Sequence, residues 1–315
     1  GDGLINLGEA CDDGGTDNND GCGQSCEVEF CGDDLIQSSE ECDGGPGCTA
    51  GCLNDFTTVV AGGNHSCALD SLGEVYCWGG NSNGQGDAPD GPFVALYAGQ
   101  FHTCALDRDG LATCWGRDSY GQSTPPVLSF DDLATGSQHT CGIDGGGQLH
   151  CWGLDTYGQA TPPAGTFSQV TAGAYHSCAV DSGGQVQCWG RDHFGQASAP
   201  AGSFSSVSAG GLHTCAVTTA GDLACWGHNL RGQSSPPVGT FGSVEAGYAH
   251  TCGLDTAGYI ACWGTSSDGQ LLAPAGRYGE LSVGWDHACV PTGTDVSCWG
   301  SDRYEQATPR VSIVD

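Results

Sequence analysis

Apolar positions along this chain do not recur at the three-to-four-residue spacing of a helix. They alternate in short runs, cut off by glycine, aspartate, asparagine and proline. One stretch, FSQVTAGAYHSCAVDSGGQVQCWGRDHFGQASAPAG at 167–202, shows the whole pattern. An alternating segment over 167–172 precedes two strands, around 176–180 and 185–189, which join at Asp181-Ser182-Gly183-Gly184. A polar loop and a proline-bearing tail follow. Three or four short strands with turn residues between them, and no helical period, predict an all-β blade.

The pattern repeats. Histidines stand at 65, 102, 139, 176, 213, 250 and 287, each 37 residues after the last, and each precedes a cysteine by two positions. A second cysteine comes immediately before every Trp-Gly, with the tryptophans at 78, 115, 152, 189, 226, 263 and 299. Seven units beginning at Phe56 consume the rest of the chain, so 56–315 is predicted to be a seven-bladed β-propeller. Closing the ring would remove exposed sheet edges.

The hairpin arithmetic pairs the cysteines. A three-residue loop, Ser71-Leu72-Gly73, places Leu69 opposite Val75, Ala68 opposite Tyr76 and Cys67 opposite Cys77, with Asp70 capping the turn. Directly opposed positions lie within disulfide reach. The predicted bridges are Cys67–Cys77, Cys104–Cys114, Cys141–Cys151, Cys178–Cys188, Cys215–Cys225, Cys252–Cys262 and Cys289–Cys298, one per blade. The last pair is nine apart rather than ten, and its loop shortens to Gly293-Thr294, which keeps the cysteines opposed. A covalent cross-link demands that register, whereas a metal site tolerates either spacing.

The string G-x-x-H-[ST]-C-A-[LV]-x-x-x-G-x-x-x-C-W-G-x-[DN]-x-x-G-Q, as at Gly210–Gln233, resembles the repeat of the regulator-of-chromosome-condensation propellers. The short repeat with a Pro-rich tail is most similar to the bacterial branch that includes the β-lactamase inhibitor protein II. The resemblance covers 56–315 and implies a propeller, but the fold serves nucleotide exchange, inhibition and adhesion alike.

Residues 1–55 differ in character, with 14 acidic residues, no basic ones and seven cysteines. They form two degenerate repeats: Asp2, Leu4, Ile5, Glu9, Cys11 and Asp12 recur as Asp33, Leu35, Ile36, Glu40, Cys42 and Asp43. By this offset Cys31 calls for a partner just before Gly1, so the first repeat reads as truncated. The E-x-C-D-D-G and D-G-C-x-x-x-C strings resemble a Cys-rich repeat of myxobacterial and related surface proteins. So short a module is predicted to depend on disulfides. Asp12, Asp13, Asp17 and Asp20, on a glycine-rich loop, are candidate calcium ligands, the alternative being a solvated acidic loop.

Composition narrows the function. The 315 residues carry 7 Lys+Arg, all arginine, against 37 Asp+Glu, a net charge of −30, which excludes a nucleic-acid binder. Twenty-one cysteines with no lysine or methionine indicate an oxidising compartment, and no apolar run is long enough to span a membrane. No G-x-S-x-G elbow, phosphate loop or H-E-x-x-H motif is present, so the chain reads as a non-enzyme. The repeated histidines, tryptophans and glutamines read as structural, the histidines bonding a backbone carbonyl near the shaft.

Function is expected where the repeat symmetry breaks. After each Trp-Gly comes a variable loop, and Tyr120, Tyr157 and Phe194 share one address in three adjacent blades. With Arg117, Arg191, Arg231 and Tyr304 they gather aromatic rings and scarce positive charge, the residue types that anchor interfaces. A second variable address precedes each histidine, with Phe101 and Tyr175 among its members. The reading is an exported, secreted or surface-attached bacterial protein that binds a protein or glycan through one propeller face. The propeller needs no cofactor, and calcium belongs to the N-terminal module alone. The alternatives are a subunit of an extracellular fibre or coat, built from further copies of the chain, and an inhibitor of a secreted enzyme.

Overall fold

The computed structural model describes residues 56–293 and 295–309. Asp12, Asp13, Asp17 and Asp20, and the rest of the Cys-rich segment 1–55, lie outside the described residues.

Alternation and turn chemistry produce seven sheets of three antiparallel strands each, and no helix occurs among the described residues. In the first blade these are β1 (Phe56–Ala61), β2 (His65–Asp70) and β3 (Val75–Gly79), paired in that order. The β2–β3 register sets Leu69 against Val75, Ala68 against Tyr76 and Cys67 against Cys77. Gly73 adopts φ 91° at the end of the three-residue loop, while Asp70 Oδ1 accepts hydrogen bonds from the Leu72 and Glu74 amides, both at 2.9 Å. The seventh hairpin keeps Cys289 opposite Cys298 across its shorter loop, where Gly293 has φ 97°. All seven blades carry a disulfide, with Cα–Cα distances of 4.0–4.1 Å.

The first strand of each blade is innermost. Its third and fifth residues, such as Thr58, Val60, Gln169 and Thr171, line a central cavity of about 350 Å³, and its fourth, such as Val59, Val170 and Val207, is buried in the core. The core therefore lies between blades rather than within them. In one such layer, Cys178 and Val180 of one blade meet Phe204, Val207, Ala216 and Trp226 of the next. Burying the cystine sulfurs and a tryptophan together supplies the apolar area that a thin three-stranded sheet lacks.

Polar clamps join the same layers. Thr103 Oγ1 donates to the Gln85 carbonyl at 2.8 Å, which spends its only proton, so His65 Nε2 must be the donor in its 2.8 Å contact with that hydroxyl. Trp115 Nε1 donates to the same carbonyl at 3.0 Å. Six of the seven histidines thus hold one blade to the next through a hydroxyl, not directly through a carbonyl as the sequence suggested. All seven are fully buried, and desolvation lowers their pKa to about 3 or 4. They therefore stay neutral near pH 7, and the donor role fixes the neutral ring of His65 in its Nε2–H tautomer. Each glutamine also ties its own loop: Gln122 Oε1 accepts the Tyr120 amide at 2.9 Å.

The Trp-Gly glycines are required. Gly116 has φ 97°, and a Cβ there would lie 2.7 Å from the Phe101 carbonyl oxygen. That carbonyl accepts the amide of Arg117 at 2.8 Å. The glycine therefore lets the outer strand turn tightly into the variable loop.

Candidate functional site

The glycine turn and its hydrogen bond decide which residues meet on the surface. In every blade the residue after Trp-Gly donates its amide to the carbonyl of the residue before the histidine. Examples are Arg117 to Phe101, Arg191 to Tyr175 and His228 to Leu212, at 2.8–2.9 Å. The two variable addresses found in the sequence are thereby fused into one surface, at the end of the ring where the first strand turns into the second.

Three clusters form an arc on it. The Arg117 guanidinium lies 5.6 Å from the Phe101 ring centre and 6.0 Å from that of Tyr120. Arg191 lies between Tyr157, at 5.4 Å, and Tyr175, at 5.6 Å, and the two tyrosines meet edge-on at 5.7 Å. Phe194 packs edge-on against His228 at 4.7 Å. The loop rings are held yet open: Tyr120 is 46% exposed, Tyr157 44% and Phe194 46%. Half-exposed rings fixed by their neighbours lose little entropy when a partner covers them.

Arg231 and Tyr304 share the loop address but not the clusters. Arg231 is exposed, and Tyr304 stands against Gly80 of the first blade. His228 was missed in the sequence, since a histidine outside the 37-residue phase carried no signal of its own. A second aromatic feature was also missed: Tyr248 and Trp285 stack at 4.8 Å and 21°. Its signal was available, because Trp285 is the eighth tryptophan and stands outside Cys-Trp-Gly.

The cavity along the ring axis serves the fold. Gln169 Oε1 accepts the Val207 amide at 2.9 Å, Thr171 Oγ1 that of Ala209 at 3.0 Å, and Ser208 Oγ that of Ala246 at 3.0 Å. Side chains of one inner strand thereby satisfy the bare edge of the next. Burial raises Asp132 to about 6 and Glu245 to about 7, and the Tyr97 hydroxyl, also pushed up by burial, donates to Asp132 at 3.1 Å. No metal-binding group of three His, Cys, Asp or Glu occurs among the described residues.

The model of the Regulator of chromosome condensation (RCC1) repeat matches residues 56–85, 93–122, 130–159, 167–196, 204–233 and 243–270, more than half of the chain. The chain belongs to the RCC1 repeat family. The seventh blade falls outside those matches, and it is the blade with the shortened hairpin. No curated protein matches the chain. Among solved structures, this RCC1-repeat chain is similar to the ectodomain of the Physcomitrella patens receptor kinase CR4. That match has a TM-score of 0.67 at 27% identity, over 78% of this chain and 74% of the other. The ectodomain of the Arabidopsis thaliana receptor kinase ACR4 gives 0.66 at 25%, over 78% and 97%. Prp20p of Saccharomyces cerevisiae, described with its binding to Gsp1p and histones, gives 0.64 at 18%, over 80% and 84%, a likeness of fold. No helix among the described residues is long and apolar enough to cross a membrane.

Proposed function

We propose that the chain is an extracellular, non-enzymatic recognition module that binds a protein partner through the arc of Phe101, Arg117, Tyr120, Tyr157, Tyr175, Arg191 and Phe194. The observation that carries this reading is the state of the rings. Three aromatic side chains at one address are about half exposed, and each is fixed from behind. A monomer gains nothing from such exposure, whereas interface anchors are enriched in aromatic residues and arginine. Seven disulfides, one per blade, and the likeness to two receptor ectodomains support an extracellular setting.

The test compares proteins retained from the culture medium of the source organism by three forms of the full chain. These are the wild type, the triple variant Tyr120→Ala/Tyr157→Ala/Phe194→Ala, and a control with Leu72→Ala/Tyr259→Ala on the opposite hairpins. A partner held by wild type and control but lost from the triple variant is the expected result. A partner held equally by all three removes the arc from the reading.

A further inference from the structure

Arg191 lacks the one thing this chain has in excess. The protein carries 37 acidic residues against 7 arginines, yet no carboxylate pairs with Arg191 among the described residues. Its guanidinium instead lies between the rings of Tyr157 and Tyr175, and among the described residues its Nε is buried without a hydrogen-bond partner and its two Nη groups have none. Arg117 repeats the arrangement two blades earlier, over Phe101 and Tyr120, with Nε donating only to Ser119 Oγ at 3.3 Å.

The nearest acids in the sequence are already committed. Asp192 accepts the Ala197 amide at 2.7 Å and the Ser198 hydroxyl at 2.6 Å, and Asp118 does the same for Ser123 and Thr124, at 2.7 and 2.8 Å. Both carboxylates are spent on closing their own turns. A guanidinium flattened between rings has lost its conformational freedom before any ligand arrives, and its planar fork matches a carboxylate bidentately.

Resting on the proposed function, we propose that Arg191 and Arg117 are carboxylate receptors. The partner segment is then a peptide with Asp or Glu beside an apolar side chain: the carboxylate meets Arg191, and the apolar neighbour covers Tyr157 or Phe194. A glycan fits less well, because Asp118 and Asp192 each already accept two hydrogen bonds within their own turns and so are held away from sugar hydroxyls. The chain's negative field sets the density of acid it tolerates, favouring a peptide with isolated carboxylates over a polyanion.

The test selects a phage-displayed library of random linear peptides on the full, disulfide-intact chain. Expected are peptides with Asp or Glu next to Leu, Phe or Tyr, whose affinity falls about tenfold in Arg191→Gln and stays reduced in Arg191→Lys, which keeps the charge but not the fork. Arg117→Gln is the second variant, and equal melting temperatures show that each variant folds. Peptides without acidic residues, affinity unchanged in both Gln variants, or no selectable peptide at all would overturn the inference. Binding of a polygalacturonate probe that is lost in Arg191→Gln would overturn the peptide assignment in favour of a glycan. If the triple aromatic variant abolishes binding while Arg191→Gln does not, the arc stands and the carboxylate receptor falls. If selected peptides bind the triple variant unchanged, the arc itself fails.

Discussion

The indole Nε1 of Trp78 donates a hydrogen bond to the carbonyl of Gln306 at 3.0 Å, so the end of the seventh blade is fastened to the first. Ser66 Oγ donates to the same carbonyl at 2.9 Å and meets His287 Nε2 at 2.7 Å. Among the described residues no strand is shared between the two ends of the propeller. The ring therefore closes with the same side-chain clamp used at its inner junctions, for example Trp189 Nε1 on the Gln159 carbonyl at 2.8 Å. Trp78→Phe should lower the unfolding free energy by about 1–2 kcal/mol, and Trp189→Phe by a similar amount. Urea denaturation checks both. A silent Trp78→Phe beside a costly Trp189→Phe would mean that the ring is open in solution.

One junction lacks its clamp. The position after the histidine is Ser or Thr in six blades and Ala288 in the seventh, and His250 Nε2 is buried with no partner. The Gln270 carbonyl correspondingly accepts only Trp299, at 3.0 Å. Ala288→Ser should restore both bonds and stabilise the protein by about 1 kcal/mol, which thermal unfolding would show as a raised Tm. The reverse change at an intact junction, Ser177→Ala, should cost on the order of 1–3 kcal/mol by leaving His139 unpaired. A destabilising Ala288→Ser would show that the site has no room for the hydroxyl.

These two junctions mark what the sequence could and could not convey. The period, the blade count and the cystine register were legible, because a 37-residue repeat and a nine-residue exception constrain them directly. The arc was legible as an address, since Tyr120, Tyr157 and Phe194 break the symmetry at one phase. Its internal pairing was not. Arg191 meets Tyr175 only because the Trp-Gly turn sends the Arg191 amide to the Tyr175 carbonyl, a contact between segments of different strands. The partners of His65, His102, His139, His176 and His213 were equally hidden, each being a hydroxyl 38 residues onward that becomes adjacent only when blades stack.

The cystines should contribute through the unfolded chain. Replacing Cys178 and Cys188 by alanine opens a loop of sequence separation 10 and should cost about 2–3 kcal/mol in the chain-entropy model. Cys178 also packs against Val207 and Trp226, so a further loss from packing adds to this figure. Chemical denaturation of the double variant under non-reducing conditions measures the sum. A cost well below that range would place the stability of the ring in its clamps and apolar layers instead.

Acid should open the ring, because seven buried histidines act together. Burial holds each folded-state pKa at about 3 or 4, below the ordinary value of 6.5. Between those limits the unfolded chain binds more protons than the folded one, so stability falls as pH drops below 6.5, by up to about 1.4 kcal/mol per pH unit for each histidine. Four buried or half-buried carboxylates oppose this, Glu280 and Asp286, which burial also raises, among them. Asp132 and Glu245, raised to about 6 and 7, bind protons in the folded state first, so their contribution improves as pH falls through those values. Seven histidines outweigh four carboxylates, and the net effect is a loss of several kcal/mol between pH 7 and pH 5. Acid also reduces the net charge of −30 and so relieves self-repulsion, and fixed high salt removes that contribution from the comparison. Melting curves at constant high ionic strength should therefore show Tm falling steeply over this interval. A Tm that is flat, or that rises toward pH 5, would mean that the histidine clamps are hydrated or already protonated in the folded ring.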